Sequence, residues 1–225
     1  MSIVRTLILR APGTNCNEET AYAFERAGAL TDTAHVNELL RRDVRLDDYH
    51  ILCIPGGFTY GDDISGGKIL ANELKGGLYD DMRRFVDDGK LVLGICNGLQ
   101  VLVKAGLLPG GSTPLTLTVN DSGRFECRWT YLKADGESRC IFTRGIDLMY
   151  LPVAHGEGKV VTDPDKVDIP LVYCDENGAS GAAYPHNPNG SVADIAGICD
   201  DTGRIFALMP HPERFIHRTQ HPRWT

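Results

Sequence analysis

Long apolar runs are missing from this sequence of 225 residues. No stretch approaches the roughly 20 apolar residues that a membrane-spanning helix needs, so we expect no association with a membrane. The first residues, Met1–Arg5, lead directly into a strand-like pattern and show no feature of a signal peptide. We therefore expect a cytoplasmic protein.

Cysteine patterns typical of disulfide frameworks or zinc sites are missing too. The seven cysteines are an odd number and form no C-x-x-C pair, which fits a reducing compartment. The histidines His211, His217 and His221 invite a zinc interpretation, but without such cysteines we predict no metal site. An excess of positive charge is also lacking. The net charge of −7 argues against a nucleic-acid or anionic-membrane surface.

Internal repeats, low-complexity tracts and linkers are likewise absent from the sequence. The hydrophobic share of 42% and the charged share of 24% are ordinary for a globular protein. The length is sufficient for one well-buried core. We therefore expect a single domain over residues 1–225.

The most informative stretch is Leu91–Val103, where an apolar strand pattern is followed by a helical pattern. Cys96 lies at the junction. Gly94 and Gly98 bracket it as G-x-C-x-G, the thiol counterpart of the nucleophile elbow. The glycines allow a sharp turn, and the helix N-terminus favours negative charge on the sulphur. Cys96 is therefore a candidate nucleophile, although a buried structural cysteine fits the same pattern.

A candidate base lies far along the chain, in M-P-H-P-E-R. An apolar strand runs into His211, and Pro212 disfavours helix at that histidine, so we expect extended backbone there. In extended backbone, residues two apart point the same way, which would place Glu213 beside His211. Cys96, His211 and Glu213 would then be the nucleophile, the base and the group that orients the base. A histidine in a proline-rich turn with a solvated glutamate is the alternative.

Strand and helix patterns alternate through the first half of the chain. The predicted elements are strands at Ile3–Leu9, Leu30–Val36 and Asp48–Ile54, a helix capped by Asn17, and helices at Ile69–Leu74 and Tyr79–Val86. This alternation predicts an α/β fold with a mostly parallel central sheet and helices on both faces. Ligands of such sheets gather at the carboxyl ends of the strands, where Gly57 and Cys96 fall.

Beyond Pro109 the pattern predicts an antiparallel or mixed C-terminal extension. Strands at Thr116–Val119 and Phe125–Leu132 are expected to pair through the turn between them. Val192–Cys199 and Arg204–Met209 are expected to form a hairpin around the turn signal at residues 200–203. Further strands are predicted at Leu148–Val153 and Leu171–Cys174.

Two glycine-rich segments follow the third predicted strand. In P-G-G-F, the backbone N–H of Gly57 could serve an oxyanion hole together with that of Asn97, although a plain tight turn fits equally well. The segment Gly61–Lys68 imitates a phosphate-binding loop, but Ile69 replaces the required Ser or Thr, and two aspartates would repel phosphate. We predict a mobile loop beside the site instead.

Six motifs are distinctive, in this order: A-P-G-T-N-C, P-G-G-F-T-Y-G-D-D, G-I-C-N-G-L-Q, A-H-G-E-G, Y-P-H-N-P-N-G-S and M-P-H-P-E-R. Through them the chain resembles the glutaminase of phosphoribosylformylglycinamidine synthase, a class I (triad) glutamine amidotransferase, over nearly its whole length. The resemblance implies a flavodoxin-like topology. It also implies hydrolysis of glutamine through a thioester on Cys96, with the ammonia passed to a synthetase that makes formylglycinamidine ribonucleotide for purine biosynthesis.

The resemblance further implies which residues bind substrate and which partners take part. Gln100 and, more weakly, Phe58, Asn120 and Phe125 correspond to positions that contact glutamine. His155 and Glu157 would lie near the site or the partner interface. The synthetase would be a separate subunit that binds ATP and magnesium, a small third subunit is left open, and no cofactor is expected on this chain.

Two other functions remain open from the residues alone. One is another thiol amidohydrolase or a peptidase on the same fold, which the P-G-G-F turn and Gln100 argue against. The other is a regulatory subunit without catalysis, which would have no need of Cys96, His211 and Glu213 together. A rival thiol, Cys16, lies outside any predicted elbow, and Cys53 fits a buried strand position.

Overall fold

The structure is a computed structural model that describes residues 3–181 and 183–225. Met1 and Ser2, which open the segment inspected for a signal peptide, lie outside the described residues, as does Ala182. In the described part, no helix is long and apolar enough to cross a bilayer.

The first half of the chain alternates strands and helices, as predicted. Its elements are β1 (Arg5–Arg10), α1 (Asn17–Arg26), β2 (Leu30–His35), α2 (Val36–Leu40), β3 (Ile51–Ile54), α3 (Lys68–Gly77), α4 (Tyr79–Asp87), β4 (Leu91–Ile95) and α5 (Asn97–Ala105). The helix α2 was missed by the sequence pattern because it has only five residues. Cys16, rather than Asn17, stands at the N-terminal cap of α1.

The second half consists mainly of strands. These are β5 (Leu115–Thr118), β6 (Glu126–Ala134), β7 (Leu148–His155), β8 (Lys159–Thr162), β9 (Asp168–Cys174), β10 (Ile195–Cys199) and β11 (Ile205–Leu208). Nine strands form one sheet in the order β2-β1-β3-β4-β11-β10-β9-β6-β7. The pairs from β2 to β11 are parallel and the remaining pairs are antiparallel. The predicted α/β class with an antiparallel extension is therefore confirmed.

Helices cover both faces of the parallel part. Side chains alternate between the two faces of a strand, so Leu93 and Gly94 of β4 face opposite ways. Leu93 lines a small apolar pocket with Phe24 of α1. A Cβ placed on Gly94 would lie only 2.6 Å from the Leu102 side chain of α5. Consequently α1 and α5 lie on opposite faces of the sheet.

The predicted pairing of Thr116–Val119 with Phe125–Leu132 is wrong. β5 pairs instead with β8 in a separate two-stranded sheet, whereas β6 joins the main sheet between β9 and β7. The Asn120 side chain explains the difference, because it donates to the carbonyl oxygens of both Arg124 and His155. It thereby turns the connection toward β7. The predicted hairpin of β10 with β11 is confirmed, with residues 192–194 forming a short turn before it.

Candidate active site

Cys96 occupies a sharp turn between β4 and α5. Its φ is +51°, a left-handed value that costs a residue with a side chain about 1–3 kcal/mol. The backbone N–H of Cys96 donates to the carbonyl of Leu208 at 2.7 Å, which ties the turn to β11. A Cβ on Gly98 would lie 2.0 Å from the carbonyl oxygen of Ile54, so only glycine lets α5 pass this close to β3. The predicted elbow therefore has a steric cause.

The carboxyl end of β11 leads directly into His211. The backbone N–H of His211 donates to the Pro152 carbonyl at 2.8 Å, and its Nδ1 lies 2.5 Å from Glu213 Oε1. Both side chains are about 1% exposed. Because a carboxylate only accepts hydrogen bonds, Glu213 fixes the ring proton on Nδ1. Within the described residues, Nε2 has no hydrogen-bond partner, so it is free for proton transfer.

The path of the backbone between His211 and Glu213 differs from the prediction. Residues Pro212–Arg214 form a single 3-10 turn rather than extended chain. Proline is well suited to this first position of a helical turn because it has no N–H to satisfy and its φ is fixed. Glu213 still reaches His211, but through the tightness of the turn instead of the alternation of a strand.

A cavity of about 200 Å³ brings Cys96 and His211 together. Its described lining consists of Gly57, Phe58, Cys96, Phe125, Cys127, Ala154, His211 and Arg214. Burial works to lower the pKa of His211. The charge of Cys96 and the hydrogen-bonding groups of Cys16 and Glu213 outweigh burial and raise that pKa well above its ordinary value. This arrangement favours a protonated imidazole on His211 beside Cys96.

The predicted oxyanion turn borders the same cavity through Gly57. Its φ is +148°, and a Cβ there would lie 2.8 Å from the backbone nitrogen of Asn15, so the position requires glycine. Asn97 begins α5 directly after Cys96. Its side-chain Oδ1 accepts from the N–H and the hydroxyl of Thr59, at 3.2 and 2.7 Å. These bonds hold the P-G-G-F turn against the nucleophile, while the roles of the two N–H groups stay a prediction.

The four predicted substrate residues fall into two groups. Phe58 and Phe125 line the cavity, are about half exposed, and lie with ring centroids 6.5 Å apart at its mouth. Gln100 and Asn120 are buried and are not among the described lining residues. The two aromatic residues thus border the cavity and the two amides do not, while a substrate contact for any of the four stays a prediction.

Both buried amides hold the loop between β7 and β8. Gln100 Nε2 donates to the Glu157 carbonyl at 2.7 Å, and its Oε1 accepts from Asn97 at 2.8 Å. Asn120 Oδ1 accepts from the N–H of Gly158 at 3.1 Å and lies 3.0 Å from His155 Nδ1. The A-H-G-E-G loop therefore lies beside the site, as the resemblance implied, with His155 buried inside it.

The segment expected to be a mobile loop is instead firmly attached. Gly66 and Gly67 donate their N–H groups to Glu157 and Asp62 at 3.2 and 3.1 Å. Lys104 of α5 donates to the Gly66 carbonyl at 2.5 Å and to Glu157 at 2.8 Å. Because these backbone donors are already used, the segment has no cradle for phosphate, in agreement with its dismissal as a phosphate loop.

Sequence reasoning gave Arg214 no role, and it set Cys16 aside as a thiol that no elbow presents. Arg214 lines the cavity, and its Nη2 lies 3.0 Å from the Cys16 sulphur. That sulphur, a ring nitrogen of His211 and a carboxylate oxygen of Glu213 all lie within 4.8 Å of one another. The close His211–Glu213 bond and the neighbouring guanidinium both oppose a metal ion there. The sequence offered one signal for Arg214 near the site, namely its position directly after His211-Pro212-Glu213.

A larger cavity, of about 600 Å³, lies elsewhere on the described surface. Asp121, Tyr184 and Asp194 are among its lining residues, and His186 lies in the adjoining segment. No cysteine or histidine lines it within the part of the chain that the structure describes. The smaller cavity, which Cys96 and His211 line, is therefore the candidate active site.

Comparisons with known proteins agree with this geometry. The model of the CobB/CobQ-like glutamine amidotransferase domain matches residues 3–225. The chain is 55% identical to phosphoribosylformylglycinamidine synthase subunit PurQ of Dehalococcoides mccartyi, across 100% of this chain and 90% of that protein. It is 43% identical to the subunit of the same name from Methanococcus maripaludis, across 99% and 86%.

Solved structures give the same result. A chain of the PurLQS structure from Thermotoga maritima is 31% identical, with a TM-score of 0.78 across 97% of this chain and 92% of that chain. A second match, titled a glutamine amidotransferase from the same organism, is 17% identical with a TM-score of 0.59 and shows the fold alone. The chain therefore belongs to the CobB/CobQ-like glutamine amidotransferase family.

Proposed function

We propose that this chain hydrolyses glutamine to glutamate and ammonia and supplies the ammonia to a synthetase subunit. The synthetase uses ATP to convert formylglycinamide ribonucleotide to formylglycinamidine ribonucleotide in purine biosynthesis. The observation that carries the proposal is the cavity shared by Cys96, on its strained elbow, and His211, whose Nδ1 lies 2.5 Å from the buried Glu213. The names of the relatives and of the PurLQS structure support the same reaction and partner.

The first half of the reaction forms a thioester. The Cys96 thiolate attacks the side-chain amide carbon of glutamine, and the carbonyl oxygen becomes an oxyanion. In this mechanism the N–H groups of Gly57 and Asn97 stabilise that oxyanion. His211 Nε2 then gives its proton to the departing nitrogen, the C–N bond breaks, and ammonia leaves.

The second half returns the enzyme to its starting state. His211, now neutral, takes a proton from water through Nε2 as the water oxygen attacks the thioester carbon. The C–S bond breaks, glutamate leaves and Cys96 is again a thiolate. Glu213 holds the ring in one tautomer throughout and does not itself transfer a proton.

The synthetase chemistry belongs to the partner in this proposal, together with ATP and magnesium. On this chain, the one segment that imitates a phosphate loop has the Gly66 and Gly67 N–H groups engaged by carboxylates. All seven cysteines are free thiols, which supports placement in a reducing compartment, the cytoplasm.

Labelling of the nucleophile tests the proposal. A chloroketone analogue of glutamine should alkylate Cys96, with the sulphur displacing chloride to form a thioether. The thiol that matters most as a control is Cys16, because it lies next to the same imidazole. Peptide mapping should find the label on Cys96 in the wild type and lose it in Cys96→Ser. A label found chiefly on Cys16 would refute the mechanism.

A further inference from the structure

Arg214 lines the cavity, and the proposed mechanism gives this residue no role. It follows Glu213 in the 3-10 turn and lines the cavity together with Cys96 and His211. Its side chain is partly buried, and Nη2 donates to the sulphur of Cys16 at 3.0 Å. The guanidinium is thus held at a fixed point beside the nucleophile and the base.

The charge of Arg214 is distinctive among the described lining residues. Apart from the pair formed by Cys96 and His211, the others are glycine, alanine, phenylalanine and the second cysteine, Cys127, none of which carries a fixed charge. Burial works to lower the pKa of Arg214, but contact with Cys16 and the charge of Glu213 raise it by more. The cavity therefore contains a permanent cation that takes no part in proton transfer.

The substrate needs such a cation. When the amide carbon of glutamine reaches Cys96, its α-carboxylate must enter or border a cavity of about 200 Å³ with aromatic walls. A carboxylate that loses water there requires charged donors in its place. A guanidinium has five N–H donors, and the Cys16 sulphur occupies only Nη2.

We propose that Arg214 binds the α-carboxylate of glutamine and selects substrates that carry this group, and that Cys16 orients the guanidinium. This assignment rests on the proposed function. Cys16 suits the orienting role because it is fully buried. Its sulphur also lies 3.2 Å from Asn15 Oδ1, and Gly56 leaves room beside it, since a Cβ there would lie 3.3 Å away.

Steady-state kinetics of Arg214 variants, measured with the synthetase present, provide the first test. Arg214→Gln should raise KM for glutamine at least about 30-fold, because a desolvated charge pair loses one partner. The turnover number should change much less, since the α-carboxylate lies away from the reacting carbon. Arg214→Lys keeps the charge but not the planar guanidinium, so its KM should lie between those of the wild type and Arg214→Gln. Arg218→Gln removes an exposed arginine from the same segment and should leave KM unchanged.

A pair of covalent probes gives a second readout that needs no catalysis. The chloroketone analogue of glutamine and its α-carboxamide derivative form the same thioether with Cys96 and differ only in the carboxylate. The wild-type protein should alkylate with the carboxylate probe at least about tenfold faster. Arg214→Gln should react with both at similar rates, and Cys16→Ala should reduce the preference while Cys16→Ser retains part of it.

The outcomes separate the two proposals. If the wild type labels on Cys96 and consumes glutamine but shows no preference for the carboxylate probe, the Arg214 assignment is overturned and the proposed function stands. The same holds if Arg214→Gln keeps the wild-type KM. The comparison of the two probes on the wild-type protein needs no variant. It can therefore overturn the Arg214 assignment even if Arg214→Gln does not fold. Absence of glutamine consumption by the wild-type complex would instead overturn the proposed function.

Discussion

The two ring nitrogens of His211 differ in their surroundings. Glu213 accepts from Nδ1 at 2.5 Å, while Nε2 is without a partner among the described residues. His211 and Cys96 line the same cavity. A ring fixed in one tautomer by a buried carboxylate exchanges protons only at its other nitrogen. Under the proposed function, proton transfer therefore belongs to Nε2 and orientation of the ring to Glu213.

Substitution of the two residues should separate these roles. His211→Ala should reduce glutamine hydrolysis by about 10²- to 10⁴-fold, the usual contribution of general acid–base catalysis. Glu213→Gln should retain more activity than His211→Ala, because the base itself remains. Glutamate release in the presence of the synthetase is the measurement, with Glu18→Gln on the exposed side of α1 as a control. More than a tenth of wild-type activity in His211→Ala would point to another base.

His155 should make the free energy of unfolding depend on pH. Burial, and secondarily the charge of His211, lowers the pKa of His155 to about 4 from an ordinary value of 6.5. The unfolded chain then binds the proton more readily, so stability is complete above about pH 6.5 and falls as the pH drops toward 4. The loss between pH 7 and pH 5 should be about 2 kcal/mol.

Urea unfolding at these two pH values, compared between wild type and variants, provides the check. His155→Gln should remove most of this difference, while His186→Gln, which replaces an exposed histidine, should preserve it. An equal pH dependence in wild type and His155→Gln would contradict a lowered pKa of His155 in the folded chain.

Single residues were predictable where one short motif sets both chemistry and geometry. Cys96 between two glycines, and His211 two residues before Glu213, could be paired because parallel strands end at a common edge. Gln100 and Asn120 could not be judged in this way, because the partners of their amides lie in a loop far along the chain. Arg214 was missed because its partner, Cys16, is 198 residues away.

The loop between β7 and β8 is joined to α5 by a partly buried ion pair. Lys104 Nζ lies 2.8 Å from Glu157 Oε1, with the two side chains only 14% and 23% exposed. The other carboxylate oxygen accepts from Gly66, and Gln100 binds the Glu157 carbonyl. One acidic side chain thereby connects the helix after the nucleophile, the glycine-rich segment and the loop.

Removal of this pair should loosen both segments. Lys104→Met should destabilise the fold by about 2 kcal/mol, because Glu157 keeps a poorly solvated charge without its cation. Hydrogen exchange should accelerate at residues 64–67 and 155–158. Lys166→Met removes one side of an exposed pair with Asp163 and should cost less than about 1 kcal/mol. Equal exchange in the two variants would contradict a connecting role for Lys104.

Whole elements were predictable wherever one pattern sufficed. The β1–α5 half of the chain alternates apolar strands with amphipathic helices, and the parallel sheet follows from this order. The pairing partner of β5 could not be predicted, because that partner, β8, has only four residues and lies far along the chain. The attachment of Gly66 and Gly67 depends on Glu157 and Asp62, and a run of glycines alone cannot show it.

The molecule as a whole places the nucleophile and the base at adjacent strand ends. β4 and β11 are parallel neighbours, so Cys96 and His211 emerge from the same edge of the sheet. The rim around them carries the exposed rings of Phe58 and Phe125. A synthetase docked at this edge would cover these rings and the entrance to the cavity.

Activation by the synthetase follows from the need to avoid wasting glutamine. The P-G-G-F turn and the loop around Glu157 lie beside the cavity, and a partner that binds only their competent arrangement raises its population. We predict slow glutamine hydrolysis by this chain alone, and an increase in kcat larger than the decrease in KM when the synthetase is added. Equal kcat values with and without the partner would contradict this prediction.

The division of labour between the two subunits is tested most directly by changing the nitrogen source. Cys96→Ala should be assembled with the synthetase, and formation of formylglycinamidine ribonucleotide measured with glutamine and, separately, with added ammonia. The glutamine-supported reaction should vanish, while the ammonia-supported reaction should equal that of the wild-type complex, because ATP chemistry lies on the partner. Loss of the ammonia-supported reaction in an intact complex, or survival of the glutamine-supported one, would contradict the account.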